Sequence, residues 1–88
     1  MLYDQKTKKF KELLEDEHDF PGPYIFKFIV PASRTNEVEA LFPGEKIELR
    51  ASRKGNYVSA TITIHMESSD LVIAIYEQAS RIHGLIAL

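Results

Sequence analysis

Four groups of residues in this chain have types that could do chemistry: three histidines, a paired acidic run, a serine among hydroxyls, and a basic turn. The histidines are His18, His65 and His83. None stands at the i, i+4 spacing of a helical metal pair, and none comes with a compact set of further ligands, so no metal site is expected. The acidic run "LEDEHD" carries neighbouring carboxylates but nothing apolar enough to raise a carboxylate pKa, and it is expected to be a solvated face. Ser59 lies in mid-strand without the glycine elbow that exposes a nucleophile, and no base is placed beside it by spacing. No catalytic constellation is expected, and no cofactor.

The basic turn is the stronger signal. "SRKGNYVSATITIHM", Ser52 to Met66, sets Arg53, Lys54 and Gly55 before a strand of alternating hydroxyl and aliphatic side chains. Arg50, Arg53 and Lys54 near backbone donors around Gly55 form a pattern able to hold a small anion. Lys-Gly-Asn is equally good hairpin-turn chemistry, and basic residues are common at hairpin tips. The stretch also invites comparison with the RNA-recognition signature K/R-G-F/Y-G/A-F-V-x-F/Y. Lys54 and Gly55 match, but Asn56, Val58 and Thr61 stand where aromatic rings belong. Stacking supplies on the order of 1–3 kcal/mol per base, so a general RNA-binding role is disfavoured.

The elements that must position these residues follow from periodicity. In 4–17, Phe10, Leu13 and Leu14 give a narrow helical stripe, with Lys11 and Glu15 one turn apart. "DFPGPY" breaks that helix. "YIFKFIV" (24–30) reads as a buried strand. "PASRTNEVEALF" offers Ser33 or Thr35 as a cap, then Val38, Leu41 and Phe42 at helical spacing until Pro43-Gly44. "EKIELRAS" alternates, with Ile47, Leu49 and Ala51 on one face and Lys46, Glu48 and Arg50 on the other. A second alternating strand spans 57–66. Ser68 or Ser69 caps a last helix whose expected buried stripe is Leu71, Ile75, Ala79 and Ile82, with Gly84 just past its end. "LIAL" closes as a short strand.

Strand, helix, strand, strand, helix, strand is the order of the α+β ferredoxin-like βαββαβ sandwich: four antiparallel strands, two helices on one face, and here a short N-terminal helix in addition. Residues 1–22 are expected to be a charged helical extension and 23–88 a single domain. Parity places Val58, Ala60, Ile62, Ile64 and Met66 under the helices, and Tyr57, Ser59, Thr61, Thr63 and His65 on the opposite face. Ile25 and Ile29 flank Lys27 on that second face, more apolar than water alone favours.

Length and composition agree with one small domain of 88 residues. A formal charge of −2 opposes a nucleic-acid binder driven by basic excess. The absence of cysteine removes disulfides and thiolate chemistry. No apolar run reaches the roughly 18 residues that cross a bilayer, and the N-terminus lacks the core of a secretory signal; a cytoplasmic location is the expectation.

"FKELLE" before an "FP" break, Lys27 in the first strand, and above all "SRKGNYVSATITI" resemble the YbeD-like family, small bacterial proteins of unknown function sometimes described as lipoate-regulatory. The ending "IYEQASRIHGLIAL" is similar to that family's tyrosine-bearing helix and short last strand. The resemblance covers about Phe10 to Leu88 and implies a βαββαβ fold similar to ACT-type regulatory domains. It carries over no catalytic residue. Pro31 and Ala32 stand where ligand-binding ACT domains commonly have glycine.

The leading expectation is a non-enzymatic regulatory or protein-interaction module working through the open sheet face and its hairpin: Lys27, Arg50, Ser52, Arg53, Lys54, Gly55, Tyr57, Ser59, Thr61 and Thr63. Its partners would be a second copy of the chain or another protein. A sensor of an anionic metabolite at the 50–57 turn is the alternative.

Overall fold

The computed structural model describes residues 5–88. The elements are α1 (Gln5–Glu17), β1 (Gly22–Pro31), a 3-10 turn (Ala32–Arg34), α2 (Thr35–Leu41), β2 (Glu48–Ala51), β3 (Tyr57–Met66), α3 (Ser69–Ala79) and β4 (Ile86–Ala87). The strands form one antiparallel sheet in the order β2-β3-β1-β4. Three helices lie across one face, with α3 packed between α1 and α2. This is the ferredoxin-like two-layer sandwich. No helix among the described residues is long and apolar enough to cross a membrane.

β1 and β3 pair over ten residues each, from Gly22 opposite Met66 to Pro31 opposite Tyr57. Because successive side chains alternate, this register puts Tyr24, Phe26, Phe28 and Val30 on the helix face together with Val58, Ala60, Ile62 and Ile64. Phe26, Phe28, Val30, Ala60 and Ile62 are fully buried. The helices close over them with Leu14, Val38, Phe42, Val72, Ile73, Ala79 and Ile82. Aromatic rings dominate the centre. Phe26 lies 5.2 Å from both Phe42 and Tyr76, and Tyr24 shares a 2.9 Å hydrogen bond with Tyr76 through their hydroxyls. Burial and that bond push the Tyr76 hydroxyl pKa up.

Several sequence expectations are corrected here. Neither Ser33 nor Thr35 caps α2; the chain enters that helix through the 3-10 turn, with Arg34 at the N-cap and its guanidinium 2.8 Å from Glu37. α3 buries Ser69, Val72, Ile73 and Ala79; of the expected stripe Ala79 is buried and Ile82 is buried just past the helix end, Ile75 is partly buried, and Leu71 is 49% exposed. α3 is apolar on most of its circumference, so spacing alone could not choose the inward side. Of the three α1 residues expected to dock, Leu14 is buried, Phe10 lies edge-on to Tyr76 at 5.6 Å, and Leu13 stays 55% exposed. β2 keeps its expected parity but not its burial. Leu49 and Ala51 lie opposite Ala60 and Val58 on the helix face, yet all four β2 residues are exposed because the helix layer stops short of that edge. Between the two serines offered for α3, Ser68 is the cap, its Oγ accepting the Leu71 N–H at 3.2 Å.

Gly84 has φ +79°, and a Cβ there would meet Pro31 Cγ at 2.9 Å. Both the left-handed backbone and the close approach to the end of β1 require glycine. Gly84→Ala is expected to cost about 1–3 kcal/mol, read as a lower denaturation midpoint with unchanged m value. Phe26→Ala, which empties the centre of the core, is expected to cost about 3–5 kcal/mol in the same measurement.

Candidate functional site

Among the described residues, nothing covers the face of the sheet away from the helices. Along β1 it carries Pro23, Ile25, Lys27 and Ile29; opposite them on β3 stand His65, Thr63, Thr61 and Ser59. β2 adds Glu48 opposite Thr61 and Arg50 opposite Ser59. On the other flank Ile86 pairs with Ile29, and the Leu88 N–H continues the pairing onto the Lys27 carbonyl at 2.9 Å. The face is therefore graded. Its β4–β1 side is apolar, its middle is hydroxyl-lined, and its β2 edge is charged. Ile25 is 54% exposed, Ile86 55% and Leu88 69%, a concentration of uncovered aliphatic surface in a chain this small.

The hairpin residues separate into two groups. Arg50, Ser52, Tyr57 and Ser59 line one shallow hollow of about 250 Å3 together with Ala51 and, on β1, Ile29. Lys27, Thr61 and Thr63 share the same face outside that hollow. Arg53, Lys54 and Gly55 form the loop tip beyond it. Gly55 has φ +77°, and its N–H donates to the Ser52 carbonyl at 3.0 Å. The Ser52 N–H donates to the Tyr57 carbonyl at 2.8 Å, and the Ser52 hydroxyl accepts the Tyr57 N–H at 3.2 Å. The turn thus consumes the Gly55 amide and one acceptor site of the Ser52 hydroxyl in holding its own shape. Cationic side chains, rather than the Gly55 amide, are what this tip offers an anion.

The histidines do not converge. His18 lies edge-on to the Tyr24 ring at 4.9 Å, and His65 Nε2 is 3.1 Å from Glu67 Oε1. Among the described residues no three His, Asp or Glu side chains gather at metal-binding spacing. Val58, at one of the positions where the RNA-recognition signature has a ring, points to the helix layer.

A second polar cluster joins α1 to α3. Lys11 Nζ lies 3.0 Å from Glu15 Oε2, 2.9 Å from Ser69 Oγ and 3.1 Å from Asp70 Oδ1, while the buried Ser69 hydroxyl donates to Glu15 at 2.7 Å. The sequence signalled only the Lys11–Glu15 pair. The contribution of Ser69 and Asp70, 54 or more residues away in the chain, arises from the helix packing. The Ser69 hydroxyl and then the Lys11 ammonium lower the Glu15 pKa; Glu15 and then Asp70 raise that of Lys11. The buried Ser69 hydroxyl is satisfied from both sides, by Lys11 and Glu15, so the cluster acts as a clamp between α1 and α3.

The family model "Protein of unknown function (DUF493)" matches residues 15–87. The chain belongs to that family. A UPF0250 protein of Shewanella piezotolerans is 33% identical over 84 residues, covering 88% of this chain and 91% of the relative. No solved structure matches the chain. The YbeD-like resemblance read from the hairpin thus stands, and the family it points to is one of unknown function. Residues 15–87 include every open-face position except the terminal Leu88, and they begin within α1 at the clamp carboxylate.

The clamp predicts a pH dependence. Because the folded Glu15 pKa is lowered, its stabilisation is complete above the ordinary glutamate range and is lost as pH falls through the folded value. Wild type should melt above Glu15→Gln at pH 7, and the gap should close as pH is lowered toward 3 in thermal scans. A gap that is constant across that range contradicts the assignment.

Proposed function

We propose that this chain is a non-enzymatic protein-interaction module that works through the open face of its sheet. The observation that carries the reading is the aliphatic row Ile25, Ile29, Ile86 and Leu88 beside Lys27 on a face no helix covers. Burying an aliphatic side chain of this size is worth about 1.5–3 kcal/mol, so covering the row supplies a strong drive for association. The hydroxyls of Ser59, Thr61 and Thr63 and the charges of Glu48 and Arg50 form a polar margin on the β3–β2 side. An apolar centre with a polar margin is the usual anatomy of a recognition surface.

The hollow lined by Arg50, Ser52, Tyr57 and Ser59 favours a second reading, a sensor of a small anion. Tyr57 and Ile29 would cover the apolar part of such a ligand, and Arg50 with the nearby Lys54 would meet its charge. The two readings share Ile29 but separate by mutation at Ile25 and Ile86, which do not line the hollow, and at Lys54 on the loop tip.

Cross-linked capture from native extract should lose its specific proteins by about tenfold or more in Ile25→Lys/Ile86→Lys, with Lys54→Ala retaining them. Both isoleucines are over half exposed, so the folded chain tolerates the change. Identical captured sets from wild type and the double lysine variant would refute the interaction reading. A melting-temperature rise with millimolar acidic metabolites that Lys54→Ala abolishes would favour the sensor.

A further inference from the structure

β2 is an edge strand with one side free. Its hydrogen-bonding direction is set by the hairpin: Ser52 N–H reaches across to Tyr57 O, so by alternation Arg50 and Glu48 also direct their backbone groups toward β3. The Ser59 hydroxyl approaching the Arg50 carbonyl at 3.4 Å agrees with that direction. Leu49 and Ala51 therefore turn their N–H and C=O groups outward, to the open edge. Natural edge strands are usually protected by a bulge, a proline, a covering loop or repelling like charges. β2 is four residues of regular strand carrying one charge of each sign.

We propose that this edge pairs antiparallel with β2 of a second copy, about a two-fold axis at Leu49, so that two sheets join into one of eight strands. With that axis Leu49 faces Leu49 of the partner, and each exchanges its outward N–H and C=O with the other. The outward groups of Ala51 meet those of residue 47 of the partner in the same way. Glu48 falls opposite the partner's Arg50, and Arg50 opposite the partner's Glu48. These are non-hydrogen-bonded pairs of the new ladder, the type whose Cα atoms approach to about 4.5 Å and whose side chains meet closely. Neither Glu48 nor Arg50 has an ion-pair partner within the chain among the described residues.

The charge pattern also rejects the neighbouring registers. Moving the axis to Glu48 sets Glu48 against Glu48 and Lys46 against Arg50; moving it to Arg50 sets Arg50 against Arg50. Like charges directly opposite are destabilising. A second feature points to the same occupant. On the helix side of this edge, Phe42, Ile47 and Leu49, together with Glu39, Gly44 and Glu45, line a recess of about 410 Å3 beside the seven-residue α2, and Leu49 is 48% exposed. The partner's Leu49 would enter that recess edge and cover it. The pairing leaves the aliphatic rows of both copies free and draws only Glu48 and Arg50 from the polar margin, so it does not rest on the protein-interaction reading above.

Sedimentation velocity over a concentration series tests the proposal on the whole chain. Wild type is expected to self-associate, with Glu48→Arg and Arg50→Glu each weakening the dimer by about tenfold or more. The exchange variant Glu48→Arg/Arg50→Glu should recover wild-type affinity to within about threefold, because it rebuilds both cross-strand pairs with signs reversed. Ala51→Pro removes an N–H that bonds nothing in the single chain; it should abolish the dimer while leaving the circular dichroism and melting of the monomer intact. A chain that remains monomeric at about 0.5 mM overturns the proposal and leaves the edge to a strand of some other protein. So does an exchange variant no stronger than the single reversals, or a dimer lost in Ile25→Lys/Ile86→Lys but not in the β2 variants; that last result would put the second copy on the open face.

Discussion

The ten-residue antiparallel pairing of β1 with β3 is the constraint on which the rest of this molecule depends. Both strands are central, so each is held by partners on two sides, and the register between them cannot slip without moving every side chain to the opposite face. One face receives Phe26, Phe28, Val30, Ala60 and Ile62, all without exposure; the other receives Ile25, Lys27, Ile29, Ser59 and Thr61. A slip by one residue would expose Tyr24, Phe26, Phe28 and Val30 of β1 and bury Lys27, a change far larger than the stability of a small domain.

The helix layer completes that arrangement unevenly. α3 lies centrally and is anchored twice, by the Ser68 cap at its start and by the Lys11–Glu15–Ser69–Asp70 clamp from α1. α1 contributes Leu14 to the same core, which ties the charged N-terminal helix to the domain. α2 is a single short helix of seven residues, and the β2 edge beneath it is left bare. The molecule is consequently well packed at its centre and open in two places, the sheet face and the β2 edge. These are the surfaces that remain for recognition, one aliphatic with a polar margin, the other a row of backbone groups with a self-complementary charge pair.

How much of this was legible depended on the kind of signal. Strict alternation in 57–66 made the two faces of β3 readable, since a period of two admits only one partition of side chains. The hairpin was readable because Lys54-Gly55-Asn56 places glycine where a positive φ is needed, and Gly55 has φ +77°. The inward side of α3 was not readable. Leu71, Val72, Ile73 and Ile75 are all apolar, and only contact with the sheet and with α1 selects among them. The same holds for Leu49: its parity followed from the sequence, but its exposure followed from where α2 ends.

The open-face residues show this division most clearly. Lys27, Arg50, Tyr57, Ser59, Thr61 and Thr63 could be assigned to one face from local alternation alone. Ile86 and Leu88 could not join them, because their place beside Ile29 and Lys27 is made by a strand crossover that no local pattern encodes. What the chain determined by itself was each strand's two-sidedness, its turns and the fold they imply, all properties of backbone geometry over a few residues. What the tertiary structure decided was which surfaces the helices leave uncovered, because that depends on the lengths and placement of elements distant in sequence.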